Sequence, residues 1–222
     1  MTSPTLPTAV VFDCDGTLAD TERLADAAWQ VTLREHGYEA GPEDFASMIG
    51  RPFPWCWDYM SARADLGDRE QFLGRLRSRF QRLFDDDLEL HPDTVATMRE
   101  LAAAGVPLAM ASSSRHEHVV KVLQRGDLTD LVSVIVGADD VALHKPDPTP
   151  YVVAARGLGV PAEDCTAVED TGVGVAAGRA AGMFTVAVVR PGIDRASLVE
   201  AHRVVDEVSV AALVPSREEI AS

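Results

Sequence analysis

The sequence is poor in cysteine and lacks long apolar runs. It has three cysteines in 222 residues, too few and too scattered for a disulfide framework or a zinc site. No stretch approaches the roughly 18 apolar residues of a transmembrane helix, and the start of the chain has no basic region followed by an apolar run. These absences predict a protein of the reducing cytoplasm that has no membrane partner.

Positive charge is scarce, and lysine is the scarcest source of it. The formal net charge is −15 at pH 7, which would repel a nucleic-acid backbone, so we expect no nucleic-acid partner. Small anionic metabolites are compatible with this charge, because a metal ion or a single lysine can reverse the field at one site. Two of the 20 basic residues are lysines, Lys121 and Lys145, so a lysine at a special position is noteworthy.

What the chain does contain is an alternation of short β-branched runs and helical segments. The first run, residues 8–12, ends at Asp13, and four more follow between residues 106 and 189. This order predicts an α/β fold with a doubly wound, Rossmann-like parallel sheet. Residues 20–88 break the alternation, because they show helical stripes and no convincing strand. We therefore predict a catalytic core of residues 1–19 and 89–222 with an inserted all-helical domain, residues 20–88.

Polar side chains follow four of the apolar runs, directly in three cases and, for Lys145, in the loop region after the third run. They are Asp13, Asp15, Ser112, Ser113, Ser114, Lys145, Glu169 and Asp170. Alone, each has an ordinary explanation, since Asp-Gly-Thr is a common turn and the serines or Glu169-Asp170 could cap helices. The carboxyl ends of parallel strands meet at one edge, however, so these side chains should lie together. As a set they predict a catalytic site.

The residue types at this edge suit magnesium-dependent phosphoryl transfer. Carboxylates from two strand ends match the oxygen ligands that Mg²⁺ prefers. Asp13 would attack phosphorus as the nucleophile, and Asp15 would protonate the leaving oxygen and then activate water. Lys145, Ser112 and Ser113 would hold phosphoryl oxygens.

These motifs resemble those of the haloacid dehalogenase superfamily of phosphohydrolases. The branch is the one with a small helical cap, which includes β-phosphoglucomutases and sugar-phosphate or phosphoglycolate phosphatases. The matching residues are Asp13-x-Asp15-Gly16-Thr17, Ser112, Lys145 in His-Lys-Pro-Asp-Pro, and Glu169-Asp170 in Val-Glu-Asp-Thr-Gly-Val-Gly.

The resemblance implies further roles for individual residues. Asp13, the main-chain carbonyl of Asp15, and Asp170 would bind Mg²⁺, with Glu169 in or next to the ligand shell. Residues 20–88 would be the cap that closes over substrate. In this family a loop between cap helices reaches the site, which makes Gly50 and Arg51 candidates for substrate specificity.

Three departures within the family narrow the predicted reaction. Dehalogenases and phosphonatases lack the second aspartate, so Asp15 favours phosphate esters. Ala25 stands where β-phosphoglucomutases carry histidine, and Ile49 where they carry a basic residue. We therefore predict a monomeric, Mg²⁺-dependent phosphatase that hydrolyses a small phosphate monoester, such as a sugar phosphate, through an aspartyl-phosphate.

Two alternatives stay open. The first is a sugar phosphomutase, which would return the phosphoryl group to its intermediate. The second, less favoured, is a receiver-type signalling domain, which also combines a phosphorylatable aspartate with a hydroxyl and a lysine. A receiver needs little more than half of these 222 residues and has no helical insert after its first strand.

Overall fold

The structure is a computed structural model that describes residues 6–48, 53–216 and 219. The chain divides into two compact units, which we call the insert, Asp20–Glu89, and the core, Met1–Ala19 with Leu90–Ser222. The strands are β1 Ala9–Phe12, β2 Leu108–Ala111, β3 Val134–Val136, β4 Cys165–Glu169, β5 Phe184–Val188 and β6 Arg203–Val205. The helices are α1 Thr21–Glu35, α2 Pro42–Met48, α3 Phe53–Ser61, α4 Arg69–Asp87, α5 Pro92–Ala103, α6 His116–Arg125, α7 Thr149–Leu158 and α8 Gly172–Ala180.

The core is built on a six-stranded sheet in the order β3-β2-β1-β4-β5-β6, and all its strand pairs are parallel. The central strand is β1, where Phe12 pairs with Met110 of β2 on one side and Val168 of β4 on the other. The carboxyl ends of β1, β2 and β4 are therefore neighbours. This arrangement confirms the predicted α/β parallel-sheet fold.

Burial of the central strand shows that both faces of the sheet are covered. All four residues of β1 are fully buried. On one face Val11 and Ala109 pack with Tyr151 of α7 and Ala177 of α8. The sequence analysis did not predict β6. This edge strand has only three residues, all half-buried, which is too short for a recognisable apolar run.

The insert has an aromatic core of its own. Its described residues form the four helices α1 to α4 and contain no strand, and α1 packs along α4. Phe72 lies at the centre, with the rings of Trp29 and Trp57 each 5.4 Å away between centroids. Leu76 shares this cluster with Phe72, so the predicted apolar stripe of α4 is the packing face.

The two chain segments that lead to and from the insert are neighbours in the core. Ala19 forms an antiparallel bridge with Leu90, and the His91 amide donates to the Leu18 carbonyl at 2.8 Å. A further bond runs from the Gly16 amide to the Ala19 carbonyl at 2.8 Å. The core therefore holds both segments by its own main-chain hydrogen bonds.

Candidate active site

The predicted nucleophile lies at the centre of a buried cluster of charges. Asp13 follows β1 directly and is 6% exposed. Lys145 Nζ lies 2.5 Å from Asp13 Oδ1 and 2.6 Å from Glu169 Oε1, so one ammonium is shared by two carboxyl groups. Burial raises the pKa of Asp13 to about 8, and the carboxylates of Glu169 and Asp15 act in the same direction against the opposing ammonium. The structure thus brings together three of the predicted strand ends.

The same cluster fits a divalent cation. Asp13, Glu169 and Asp170 are all buried, and each offers a carboxylate oxygen within 4.8 Å of the others. Burying three carboxylates beside one ammonium is costly unless more positive charge arrives. The donors are all oxygens, which a hard cation such as Mg²⁺ prefers. The residues present therefore suit the predicted metal.

Glu169 differs from the other two carboxylates because protein donors already occupy both of its oxygens. Oε1 accepts from Lys145 Nζ and, at 2.7 Å, from the buried hydroxyl of Tyr151. Oε2 accepts from the Asp170 amide at 3.2 Å and from the Thr171 hydroxyl at 3.2 Å. A carboxylate has about four lone-pair positions, and these bonds use them. Glu169 is therefore bound as an anchor for Lys145, next to the oxygens of Asp13 and Asp170.

The predicted acid and base, Asp15, is held at both of its carboxylate oxygens. Ser112 Oγ lies 3.3 Å from Oδ2, and His118 Nε2 lies 3.1 Å from Oδ1. Ser112 is buried, as a residue directly after β2 should be. His118, in the first turn of α6 after β2, was not predicted, because no local pattern shows which residue of that turn faces Asp15.

The loop after Asp15 is fixed by a second group that sequence reasoning missed. Arg190, just beyond β5, donates from Nε to the Gly16 carbonyl at 3.2 Å and from Nη2 to the Thr17 carbonyl at 3.0 Å. Its Nη1 lies 3.0 Å from Asp93 Oδ2, which keeps the guanidinium in place. Thr17 Oγ1 in turn lies 3.4 Å from Asp170 Oδ1. This chain of contacts links the loop to the acidic cluster.

Gly16 is required where this loop passes the cluster. Its φ is +82°, and a Cβ placed on it would lie 1.9 Å from Asp170 Oδ2. Both the left-handed backbone and the close approach exclude a side chain. The predicted motif residue therefore has a steric reason to be glycine.

The remaining predicted site residues have different outcomes. Ser113 is exposed, whereas its neighbour Ser112 is buried. Gly50 and Arg51 lie outside the described residues, as does Ile49. Their predicted roles stay predictions.

The insert contains a pocket of its own, with a volume of about 460 Å³. Its walls come mainly from α1 and α4 and are largely apolar; the lining residues are Ala25, Ala28, Trp29, Phe53, Leu73, Leu76, Arg77, Phe80 and Gln81. Ala25, singled out in the sequence, is thus part of an apolar wall. The pocket combines an aromatic surface with the guanidinium of one arginine.

Comparison with known proteins identifies the family. Residues 7–182 match the sequence model of the haloacid dehalogenase-like hydrolases. The chain belongs to this family. The residues matched include β1 and β4, whose carboxyl ends carry the acidic cluster of the hydrolase, and β2, which is followed by Ser112.

Named relatives agree with this assignment. A phosphoglycolate phosphatase from Photorhabdus laumondii is 30% identical over 183 residues, which cover 78% of this hydrolase and 76% of the relative. A phosphorylated carbohydrates phosphatase from Thermotoga maritima is 29% identical over 201 residues, covering 88% and 92%. Among solved structures, a HAD family hydrolase from Deinococcus radiodurans with bound phosphate and sodium has a TM-score of 0.79 at 32% identity, covering 90% and 92%.

These findings confirm the predicted enzyme class, a phosphatase of this family. Within the described part of the chain, no helix combines the length and the apolar character that crossing a membrane requires.

Proposed function

We propose that this hydrolase is a Mg²⁺-dependent phosphatase that hydrolyses a small phosphate monoester through an aspartyl-phosphate on Asp13. The observation that carries the proposal is the pair of short contacts from Lys145 Nζ, 2.5 Å to Asp13 and 2.6 Å to Glu169, inside a buried trio of carboxylates. A cation is held on the nucleophile itself, where a phosphoryl group would bring further negative charge.

Asp13, Asp170 and the main-chain carbonyl of Asp15 would hold the metal, with Glu169 beside it. When bound, Mg²⁺ would supply positive charge that offsets the carboxylates and the phosphate. Lys145 would contact a phosphoryl oxygen and keep Asp13 ionised for attack. Ser112, and Ser113 as predicted, would hold further oxygens of the phosphoryl group.

In the proposed reaction, the carboxyl groups of Asp13 and Asp15 act in turn. Asp13 Oδ attacks phosphorus, the bond from phosphorus to the alcohol oxygen breaks, and Asp15 gives that oxygen its proton. In the second half, ionised Asp15 takes a proton from water as the water oxygen attacks phosphorus. The bond from phosphorus to Asp13 Oδ breaks, its electron pair returns to the Asp13 carboxylate, inorganic phosphate leaves, and Asp15 is again protonated.

The proposed substrate class is supported by the names of relatives in the family. Two relatives are named for phosphoglycolate and for phosphorylated carbohydrates, which supports a small phosphorylated metabolite. We also propose that residues 20–88 act as the cap that selects the substrate. Monomeric state and cytoplasmic location stay predictions.

A panel assay tests the proposal. The protein is incubated with Mg²⁺ and phosphorylated metabolites, and both free phosphate and isomerised sugar phosphate are measured. We expect many turnovers of phosphate release. Isomerisation without net release would favour the mutase, and a stable, stoichiometric phosphoprotein would favour a receiver domain.

Two variants test the assigned roles. We expect Asp13→Asn to abolish turnover and to remove the phosphoryl adduct seen by mass spectrometry after acid quench. Asp15→Asn should slow turnover by a factor of roughly 100 or more, because it removes the proton donor. Normal activity in Asp13→Asn would refute the mechanism.

A further inference from the structure

His118 is in contact with the carboxyl group to which the proposed function assigns proton transfer. Its Nε2 lies 3.1 Å from Asp15 Oδ1, and the two side chains are 18% and 29% exposed. The second oxygen of Asp15 lies 3.3 Å from Ser112 Oγ. Asp15 is therefore gripped at both oxygens by residues from the segment that follows β2.

The position of His118 is set by the fold rather than by chance packing. β2 lies next to β1, and after Ala111 the chain makes a short turn in which the Ser114 amide donates to Ser112 Oγ at 2.9 Å. Helix α6 then begins, and the His118 amide donates to the Arg115 carbonyl at 2.9 Å. The first turn of α6 thus lies beside the residues that follow β1.

Asp15 needs such a partner because it is less enclosed than Asp13. A carboxyl side chain with 29% exposure has more than one rotamer open to it unless neighbours restrict it. An imidazole nitrogen can donate to an ionised carboxylate or accept from a protonated one, so it suits a group that alternates between the two.

We propose that His118 is a positioning residue that holds Asp15 in the rotamer from which its proton reaches the leaving oxygen. This inference rests on the proposed function, because it presumes that Asp15 is the general acid. It assigns no contact between His118 and substrate.

The test varies how much the leaving group needs a proton. β-Glycerol phosphate releases an alkoxide, which requires an acid, whereas 2,4-dinitrophenyl phosphate releases a stable phenolate, which does not. The value of kcat/KM is measured for both with Mg²⁺, since it reports phosphoryl transfer to Asp13 and not the later hydrolysis. A merely structural role for His118 would lower both values alike.

We expect His118→Leu to lower kcat/KM for β-glycerol phosphate by roughly 30- to 100-fold and for 2,4-dinitrophenyl phosphate by less than about threefold. His118→Gln, whose amide nitrogen can reach the Nε2 position, should recover the first value to within about fivefold of the unmodified protein. Asp15→Asn should show the same selectivity more strongly.

A matched control lies on the same helix. His116 Nδ1 is 2.7 Å from Asp140 Oδ2, so His116→Leu removes an imidazole–carboxylate contact away from Asp15. It should change both kcat/KM values by less than about twofold. Equal losses with the two substrates in His118→Leu, or no loss, would overturn the inference.

Two safeguards keep the outcome interpretable. If His118→Leu does not fold, His118→Asn replaces it, because the shorter amide falls short of Asp15 while Gln reaches it; equal values for Asn and Gln would then overturn the inference. If Asp13→Asn keeps turning over, the proposed function itself fails. If Asp13→Asn is inactive and Asp15→Asn is selective while His118→Leu is not, only the role of His118 fails.

Discussion

The core and the insert each bury an aspartate to the same extent, and they treat it in opposite ways. Asp13 in the core and Asp44 in the insert are both 6% exposed. Burial opposes ionisation at both, but at Asp44 the Gly41 amide, the Tyr38 and Tyr59 hydroxyls and Arg63 outweigh it and lower the pKa. At Asp13 burial outweighs the shared Lys145, the carboxylates of Glu169 and Asp15 add to it, and the pKa rises to about 8.

The difference separates a structural carboxylate from the one that we propose to be the nucleophile. Asp44 is satisfied by donors at 2.9, 3.0 and 3.2 Å and has no further need of charge. The negative charge around Asp13 exceeds the one positive charge of Lys145. A cation, or a phosphoryl group that arrives with one, can therefore bind favourably there. Burial alone does not reveal function; the balance of partners does.

The largest expected effect comes from replacing a glycine by alanine, once in the core and once in the insert. Gly16→Ala would push a Cβ against Asp170 at a φ of +82°, so we expect roughly 3 kcal/mol lower stability and at least about 100-fold lower activity. Gly74→Ala in the middle of α4 meets no described atom within 4 Å, and it should raise stability by up to about 1 kcal/mol. Urea unfolding and phosphate release measure both. A neutral Gly16→Ala would contradict the packing at the cluster.

The two aspartates themselves give the next test, in metal-free protein. The folded pKa of Asp44 is lowered, so its stabilisation is present above the unfolded pKa and is lost as pH falls. We expect Asp44→Asn to lower the free energy of unfolding at pH 7 by about 2 kcal/mol, since hydrogen bonds to a charged group are lost.

Asp13 has the opposite sign. Its folded pKa is raised, so its contribution is fully present below the unfolded pKa and is lost progressively as the pH rises from there to about 8. Asp13→Asn should therefore already increase stability at pH 7 relative to the unmodified protein, and the gain should level off above pH 8. Urea unfolding in chelator at several pH values measures this, and a destabilised Asp13→Asn would break the comparison.

The smallest effect distinguishes two tyrosines that both donate to a carboxylate. Tyr151 donates to Glu169 at 2.7 Å in the core, and Tyr38 donates to Asp44 at 3.0 Å in the insert. Each Tyr→Phe change should cost about 1 kcal/mol of stability. Because Glu169 also holds Lys145, we expect kcat to fall about tenfold in Tyr151→Phe and less than about twofold in Tyr38→Phe. Equal kcat values would show that Glu169 does not position Lys145.

The strand ends of the core were predictable from the sequence because short apolar runs reveal where buried strands stop. Asp13, Asp15 and Lys145 were found in this way, and the rarity of lysine in the chain supported the last. None of these three predictions required knowing which helix faces the site.

The residues that were missed act through long-range pairing, which local pattern does not encode. Arg190 reaches Gly16 across most of the chain, and Tyr151 reaches Glu169 from the buried face of α7. In the sequence, Tyr151 looks like an ordinary core residue of a helix. Arg190 follows a predicted strand but belongs to no recognised motif. His118 depends on how α6 turns after Ser112.

The bridge between Ala19 and Leu90 and the bond from His91 to Leu18 have a consequence for the insert. These main-chain bonds hold the two ends of the insert next to each other. For the sheet, the residues between them therefore amount to one closed loop. Closing a longer loop adds little entropic cost once its ends are held. The length and sequence of the insert can therefore change without shifting the register of β1 or the strand end that carries Asp13.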